Sequence, residues 1–328
     1  MPLPTHCAFV TLLMMNDSYL PGVLLQAYEL SQQAPLISRV CLITEDVSDE
    51  TQNSLSWIYD HVVCVDKIFI PHVRRQNRQD RPFLLTRLQA LRLGPDGDLG
   101  MHFKKIVLLD ADILPLKRFD QLFLLETPAG ILNEHKSHFI TTDTKGRYIK
   151  PKNVDITGRW VWHQVYRNIG HGNHIPEEIT KRVTSDPYNL GINTALMVLQ
   201  PSFKEYRSIL EDIKLPDRLR LLTEIFDWPD MQYLTLRWSG QWVNIDASFC
   251  GFCGYPSLSV LCGTHYAGQK PWNYKNADSF KQYSRFPDFI YWHQQFLTMM
   301  QEYRDLYKVK RLSHLTEKIQ TLPTMIAS

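Results

Sequence analysis

Residues 104–115 constrain the fold most, because an apolar strand there ends in two carboxylates. The run Lys-Lys-Ile-Val-Leu-Leu-Asp-Ala-Asp-Ile-Leu-Pro contains four apolar residues, 106–109, that are typical of a strand buried on both faces. Asp110 and Asp112 follow, and residues two apart on a strand point to the same side. Carboxylates so close together repel each other unless a cation lies between them. The pattern predicts a cation site at the carboxyl end of this strand, where open α/β sheets bind ligands.

Segments with strand and helix patterns alternate on both sides of this motif. The strand-like segments are residues 7–15, 38–44, 61–70, 106–109, 194–199, 241–247 and 258–262. The helix-like segments are residues 19–33, 48–59, 82–93, 203–222 and the run that follows residues 227–234. Alternation of this kind predicts an α/β fold with a mostly parallel, doubly wound sheet and right-handed crossovers.

Two stretches depart from the alternation. Residues 133–190 are polar and aromatic and too long for a plain connection, so we expect an inserted lid or acceptor-binding region, with a peripheral subdomain as the alternative. After residue 275, an apolar helical stripe from Phe289 to Leu306 predicts a C-terminal helical extension that packs on the sheet or on a second subunit. The predicted division is therefore a domain of residues 1–275 and an extension of residues 276–328.

Composition argues against several classes of function. Apolar residues make up 44% of the 328 residues and charged residues 21%, which is ordinary for a globular enzyme. A net charge of +2 gives no reason to expect nucleic-acid binding. No run approaches the roughly 18 apolar residues of a transmembrane span. No basic residue precedes the apolar segment 7–15, so we expect a strand rather than a signal peptide, and a cytoplasmic protein with reduced cysteines.

A second segment, residues 265–272, supplies the expected third metal ligand. It reads His-Tyr-Ala-Gly-Gln-Lys-Pro-Trp. The imidazole of His265 with two carboxylates suits Mn²⁺, and Mg²⁺ is the alternative ion. Gly268 would let the backbone approach a phosphate, and Lys270 would add positive charge to it. An alternative zinc site would combine His265 with Cys250, Cys253 and Cys262.

These segments together resemble the family 8 glycosyltransferases, which are retaining, metal-dependent enzymes of the Rossmann-like GT-A fold and include glycogenin. The resemblance covers residues 7–130 and 186–275, with the segments in the family order. Asp110-Ala-Asp112 matches the metal motif. His265 to Trp272 resembles the family's His-x-x-Gly-x-x-Lys-Pro-Trp, with one residue fewer before Lys270.

The resemblance implies a UDP-sugar donor. The backbone at Thr11 and Leu12 would face the base and Tyr19 would stack on it, while Arg87 replaces a lysine that touches the donor. The full set of implied donor contacts is Thr11, Leu12, Asn16, Tyr19, Arg87, Asp110, Ala111, Asp112, Gln232, His265, Gly268 and Lys270.

The resemblance also implies the catalytic residues. Asn193 would reach the donor sugar, and Asp227 and Asp230 match an acidic pair that holds sugar hydroxyls. The glutamine expected after the second aspartate is Met231 here, and Gln232 stands one place later. Asp230 is the best-placed carboxylate for a covalent intermediate, and attack on the leaving-group face is the alternative.

The implied activity is transfer of a hexose to a carbohydrate or glycoprotein acceptor. Aromatic faces suit sugar rings, so we expect Trp160 and Trp162 to help bind that acceptor. Two other functions remain open: a phosphatase of the haloacid-dehalogenase type, which also carries Asp-x-Asp after a strand, and a non-catalytic sugar-nucleotide binding protein. We also expect a homodimer, given the apolar C-terminal helix.

Overall fold

A mixed seven-stranded sheet forms the centre of the computed structural model. The structure describes residues 6–73, 79–133, 140–142, 148–151, 169–186, 189–252, 258–273 and 286–327. In spatial order the strands are β10 (Val243–Asn244), β6 (Ala129–Leu132), β9 (Ile192–Leu199), β4 (Lys105–Leu109), β1 (Cys7–Leu13), β2 (Ser38–Ile43) and β3 (His61–Cys64).

Most neighbouring strands in this sheet are parallel. β4, β1, β2 and β3 run in one direction, and β10 is parallel to β6. β9 is the exception, because it is antiparallel to both β4 and β6. The expected mixed, mostly parallel α/β sheet is therefore confirmed.

Two smaller sheets lie outside the central one. The first contains β11 (Gly251–Phe252), β12 (Gly263–His265) and β5 (Ile113–Pro115). The second pairs β7 (Ile140–Thr142) with β8 (Tyr148–Pro151).

Helices cover the sheet. The α-helices are α1 (Leu20–Gln33), α2 (Asp49–Leu55), α3 (Glu177–Thr180), α4 (Phe203–Asp212), α5 (Pro216–Arg220), α6 (Pro229–Arg237), α7 (Pro287–Glu302) and α8 (Lys310–Ala327). The 3₁₀ helices span Asp17–Tyr19, Arg81–Leu93, Phe119–Leu124, Lys181–Thr184, Ala247–Cys250, Leu258–Val260 and Arg304–Lys308, and a π-helix spans Leu221–Ile225.

Three predicted strands were wrong in their extent, and of the segment 241–247 only Val243–Asn244 forms a strand. The segment 61–70 leaves the sheet after Cys64, because Ile68 N–H donates to Thr86 Oγ1 (3.0 Å) and Ile70 N–H to the Pro82 carbonyl (2.8 Å). These bonds align it with the 3₁₀ helix Arg81–Leu93 instead. The segment 258–262 begins as the 3₁₀ helix Leu258–Val260, and β12 starts only at Gly263.

The C-terminal stripe packs inside the molecule. Trp292, Phe296 and Met299 of α7 are buried in one core cluster with Leu24 and Leu25 of α1. Packing on α1 accounts for the stripe, so the homodimer stays a prediction. Across the described parts of the chain, the helices are too short or too polar to span a membrane.

Most of the predicted insertion, including Trp160 and Trp162, lies outside the described residues. Its two ends are described. Asn133, directly after β6, donates its N–H to the Gly191 carbonyl (2.8 Å), directly before β9.

Candidate functional site

Strand pairing brings His265 beside the Asp110–Asp112 turn. The turn closes with a hydrogen bond from Ile113 N–H to the Asp110 carbonyl (3.0 Å). The next strand, β5, pairs antiparallel with β12, so that His265 stands opposite Ile113. A bond from Tyr266 N–H to the Asp112 carbonyl (2.9 Å) continues this pairing. As a result, one ligand atom from each of the predicted metal ligands lies within 4.8 Å of the others.

The donor atoms of this cluster fit a divalent metal ion. Two carboxylates and one imidazole are suitable ligands for Mn²⁺, and carboxylates also suit Mg²⁺. Asp112 and His265 are buried, whereas the Asp110 side chain is 34% exposed and leaves the cluster open to solvent. His265 Nε2 lies 3.3 Å from Asp112 Oδ1, and among the described residues the potential metal ligands that come together are Asp110, Asp112 and His265, a set without the cysteines of the zinc alternative. Cys253, which the zinc site would need, is outside the described residues.

Lys270 holds the second oxygen of Asp112. Its Nζ donates to Asp112 Oδ2 and to the Tyr266 carbonyl, and lies 5.6 Å from the centre of the Tyr19 ring. Burial alone would raise the pKa of Asp112, but Lys270 and His265 outweigh burial and hold that pKa below its usual range. Asp112 is therefore a carboxylate with both oxygens facing positive or proton-donating groups.

Arg87 connects this cluster to a further carboxylate. Its Nη1 lies 3.0 Å from Asp110 Oδ1 and its Nε lies 3.3 Å from Asp230 Oδ2. Nη1 also donates to the Thr194 carbonyl (2.7 Å). Burial would lower the pKa of Arg87, but Asp110 and Asp230 raise it, so the guanidinium stays charged. The planar fork of arginine can join two carboxylates in this way, which an ammonium cannot match.

Asp230 is held with one oxygen unsatisfied. It lies in the first turn of α6, directly after Pro229, and is 2% exposed. Its Oδ2 accepts from Thr194 Oγ1 (2.7 Å), and among the described residues its buried Oδ1 has no hydrogen-bond partner. A buried oxygen without a partner is costly unless a ligand satisfies it. Asp227, also buried, accepts a bond from Arg81 on its backbone carbonyl.

The residues predicted near the base lie around the start of α1. Thr11 Oγ1 donates to the buried amide of Gln26, and Leu12 is half-buried. Asn16 is exposed and its Oδ1 accepts from Ser18 N–H (2.8 Å), which begins the 3₁₀ helix Asp17–Tyr19. Tyr19 meets Trp272 edge to face, with ring centres 5.6 Å apart.

The remaining predicted residues differ in accessibility. Ala111 lies in the Asp110–Asp112 turn, called the metal turn below, and Gly268 is exposed in the turn before Lys270. Asn193 is buried, and its Oδ1 accepts from Ala195 N–H (3.1 Å). Gln232 is fully buried, and its Oε1 accepts from Trp228 N–H (2.9 Å) at the start of α6. The structure thus brings together Arg87, Asp110, Asp112, Asp230, His265 and Lys270. Gln232 is instead buried and bonds to the backbone at the start of α6.

Sequence reasoning missed three residues that build the site. Gln26 donates from Nε2 to the carbonyls of Asp110 (2.7 Å) and Ile113 (2.8 Å), and so holds the metal turn. Thr194 holds Asp230, as described above. Gly22 faces both the metal turn and Trp272. An available signal was Gln26 itself, a polar residue within the apolar run of α1.

Several known proteins are similar to this chain, although no protein-family model matches it. Uncharacterized protein R707 of Acanthamoeba polyphaga mimivirus is 26% identical over 281 residues, which cover 83% of this chain and 84% of R707. Human glycogenin-1 is 33% identical over 122 residues, or 36% of this chain and 33% of glycogenin-1. Glycogenin from Neurospora crassa is 32% identical over 112 residues, or 34% of this chain and 16% of that protein. The match therefore spans a third or less of each of these glycogenins.

A solved structure shares the fold. Galactosyltransferase LgtC in complex with donor and acceptor sugar analogs superposes with a TM-score of 0.51 at 12% identity, covering 86% of this chain and 94% of LgtC. At this identity the likeness establishes the fold. The chain is therefore similar to the glycogenin-like glycosyltransferases in three respects: partial sequence identity to the glycogenins, the GT-A fold and the Asp-Asp-His cluster.

Proposed function

We propose that the chain transfers a hexose from a UDP-sugar to a carbohydrate or glycoprotein acceptor, with retention of the anomeric configuration. Asp110, Asp112 and His265 would hold Mn²⁺, with Mg²⁺ as the alternative ion. A bound metal ion would supply Lewis acidity toward the diphosphate of the donor. The observation that carries the proposal is that Arg87 contacts both this cluster, at Asp110, and Asp230. Among the described residues, the buried Oδ1 of Asp230 has no hydrogen-bond partner.

The fixed positive charges support the departure of a nucleoside diphosphate. Arg87 and Lys270 have side chains that are 11% and 12% exposed, and both are held by carboxylates. Their charges are in place before the reaction, so they would stabilise the leaving group with little reorganisation. A basic side chain that is already ordered stabilises the developing charge of a diphosphate better than one that must first be ordered.

Asp230 supports a role at the sugar. Thr194 and Arg87 fix Oδ2, which leaves Oδ1 to bind a sugar hydroxyl, to stabilise an oxocarbenium-like centre or to attack it. Retention by attack on the leaving-group face is the alternative to a covalent intermediate. A covalent intermediate requires a desolvated carboxylate such as Asp230, whereas in the alternative a phosphate oxygen of the leaving group would serve as the base.

Two partly exposed aromatic side chains, Trp228 next to Asp227 in the chain and Phe69, support a carbohydrate acceptor. Trp228 is half-buried, with the Arg81 guanidinium 4.4 Å from its ring centre. Phe69 is 60% exposed and packs against Phe83 at 5.5 Å. Partly exposed aromatic faces such as these can stack on the apolar faces of sugar rings.

A test of the proposal is UDP release from a panel of UDP-sugars, with Mn²⁺ or with EDTA. We expect Mn²⁺-dependent release from one donor, and a loss of at least about a hundredfold in Asp112→Asn, because the amide is a poorer metal ligand and cannot pair with Lys270. Asp98→Asn is the matched control, since Asp98 pairs with Arg92 at an exposed position. Donor binding without turnover, with or without added oligosaccharide acceptors, would contradict the proposal and favour a non-catalytic binding protein.

A further inference from the structure

We propose that helix α7, through Asp288, Trp292 and His293, positions the segment 264–272 that carries His265 and Lys270. The inference rests on the proposed function only in assigning segment 264–272 to donor binding. In this arrangement, helix α7 of the C-terminal extension supports the donor site.

The first turn of α7 holds both neighbours of His265. Asp288 is fully buried; its Oδ2 lies 3.4 Å from Thr264 Oγ1, which donates to it, and its carbonyl accepts from Tyr266 Oη (2.7 Å). Because side chains alternate along a strand, Thr264 and Tyr266 point away from the face on which His265 meets Asp112. The Tyr266 ring also packs edge to face on Phe289, at 5.2 Å. α7 therefore supports β12 from the side opposite the metal cluster.

The next turns of α7 hold the other end of the segment. His293 Nε2 lies 3.1 Å from the Pro271 carbonyl, and because a carbonyl only accepts, Nε2 carries the hydrogen. Burial lowers the pKa of His293 to about 4, so the ring is neutral near pH 7. Trp292 packs on Trp272 with ring centres 5.5 Å apart.

Lys270 lies between these two attachments. Its Nζ reaches Asp112 only while the turn 266–271 keeps its shape, and α7 fixes that turn at Tyr266 and at Pro271. Trp272 extends the support to Tyr19, whose ring it meets. A helix that holds both ends of a short turn restricts the ammonium group in the middle, which makes His293 a positioning residue rather than a catalytic one.

The test compares substitutions of His293 in the full chain. His293→Leu removes the donor to Pro271 at similar volume, and His293→Gln retains an N–H that can reach the carbonyl. Met299→Ala is the control for general destabilisation, because Met299 is fully buried further along α7 in the core cluster with α1. Amide hydrogen exchange over residues 263–273 is measured for each variant, together with the Kd of UDP in the presence of Mn²⁺.

We expect faster exchange of residues 263–273 in His293→Leu and a UDP Kd raised about tenfold, with both largely restored in His293→Gln. Met299→Ala should lower the melting temperature while leaving both readouts near those of the wild type. Unchanged exchange in His293→Leu, or an equal change in Met299→Ala, would overturn the positioning role. If the wild type fails to bind UDP with Mn²⁺, the proposed function fails, and the exchange data still decide whether α7 holds the segment.

Discussion

Substituting Gly22 with alanine should damage the metal cluster without touching a ligand. Gly22 lies in the first turn of α1 with an ordinary helical conformation, so only space limits this position. An added Cβ would lie 2.5 Å from the Ala111 carbonyl oxygen and 2.5 Å from Cη2 of Trp272. Ordinary contacts between such atoms are near 3.5 Å, so a shift of about 1 Å is needed, shared between backbone and ring.

Two opposing terms set the stability of this variant. Overpacking of this degree costs about 1–3 kcal/mol, whereas alanine in a helix is favoured over glycine by up to about 1 kcal/mol. We therefore expect a net loss of about 0–2 kcal/mol in the free energy of unfolding. The site should suffer more, because Ala111 lies between Asp110 and Asp112 and metal–ligand distances tolerate only about 0.2 Å.

The assay is a Mn²⁺ titration followed by electron paramagnetic resonance, with urea unfolding as the stability measurement. We expect the Kd of Mn²⁺ to rise at least about tenfold in Gly22→Ala, equivalent to about 1.4 kcal/mol. Gly170→Ala is the control, since the nearest atom of the described residues to the added Cβ would be Asn173 Nδ2, at an ordinary 3.5 Å. Wild-type Mn²⁺ affinity in a Gly22→Ala protein of increased stability would refute the reasoning.

Three further predictions concern charge and ligand linkage. Burial raises the pKa of Glu29 from 4.5 to about 7, so Glu29 contributes stability that is fully present below pH 4.5 and is lost as pH rises through 7. In urea unfolding, Glu29→Gln should flatten this pH dependence of the free energy of unfolding by up to about 3 kcal/mol between pH 4.5 and 8, and an unchanged pH dependence would contradict the prediction. Arg87→Lys should keep the positive charge but lose the planar guanidinium that contacts both Asp110 and Asp230, and so should lower kcat in UDP-release kinetics more than about tenfold. An unchanged kcat would exclude a role for this double contact. Mn²⁺ at a hundred times its Kd should add about 2.7 kcal/mol to the free energy of unfolding of the wild type and nothing to Asp112→Asn.

The order of strands and helices could be predicted because periodic apolar patterns report which residues are buried. The same patterns do not identify the partner of a buried residue. Val65 still donates its N–H to Ile43 of β2, but Ile68 and Ile70, which are as apolar and β-branched as strand residues, bond to Thr86 and Pro82 rather than to a neighbouring strand. The run 203–222 was likewise predicted as one helix, but α4 ends at Asp212 and a new helix starts at Pro216.

The site was predictable where a motif is local and less so where it is assembled from distant segments. The local motif predicts the pairing of Asp110 with Asp112, but the structure brings them together in a turn after β4 rather than by alternation along a strand. His265 joins them through pairing of β5 with β12. Arg87 was expected at the donor, and the structure pairs it with Asp110 and Asp230, a contact that depends on folded distances. The roles of these residues toward a donor stay predictions.

The one reversed strand in the central sheet determines where new chain can be added. Because β9 runs against β6 and β4, the end of β6 and the start of β9 lie at the same edge as the metal turn, and the bond between Asn133 and Gly191 closes a narrow neck there. A segment inserted above such a neck can change in length or sequence without disturbing strand register. Variation in that segment would therefore leave the strand register and the Asp110–Asp112 turn unchanged.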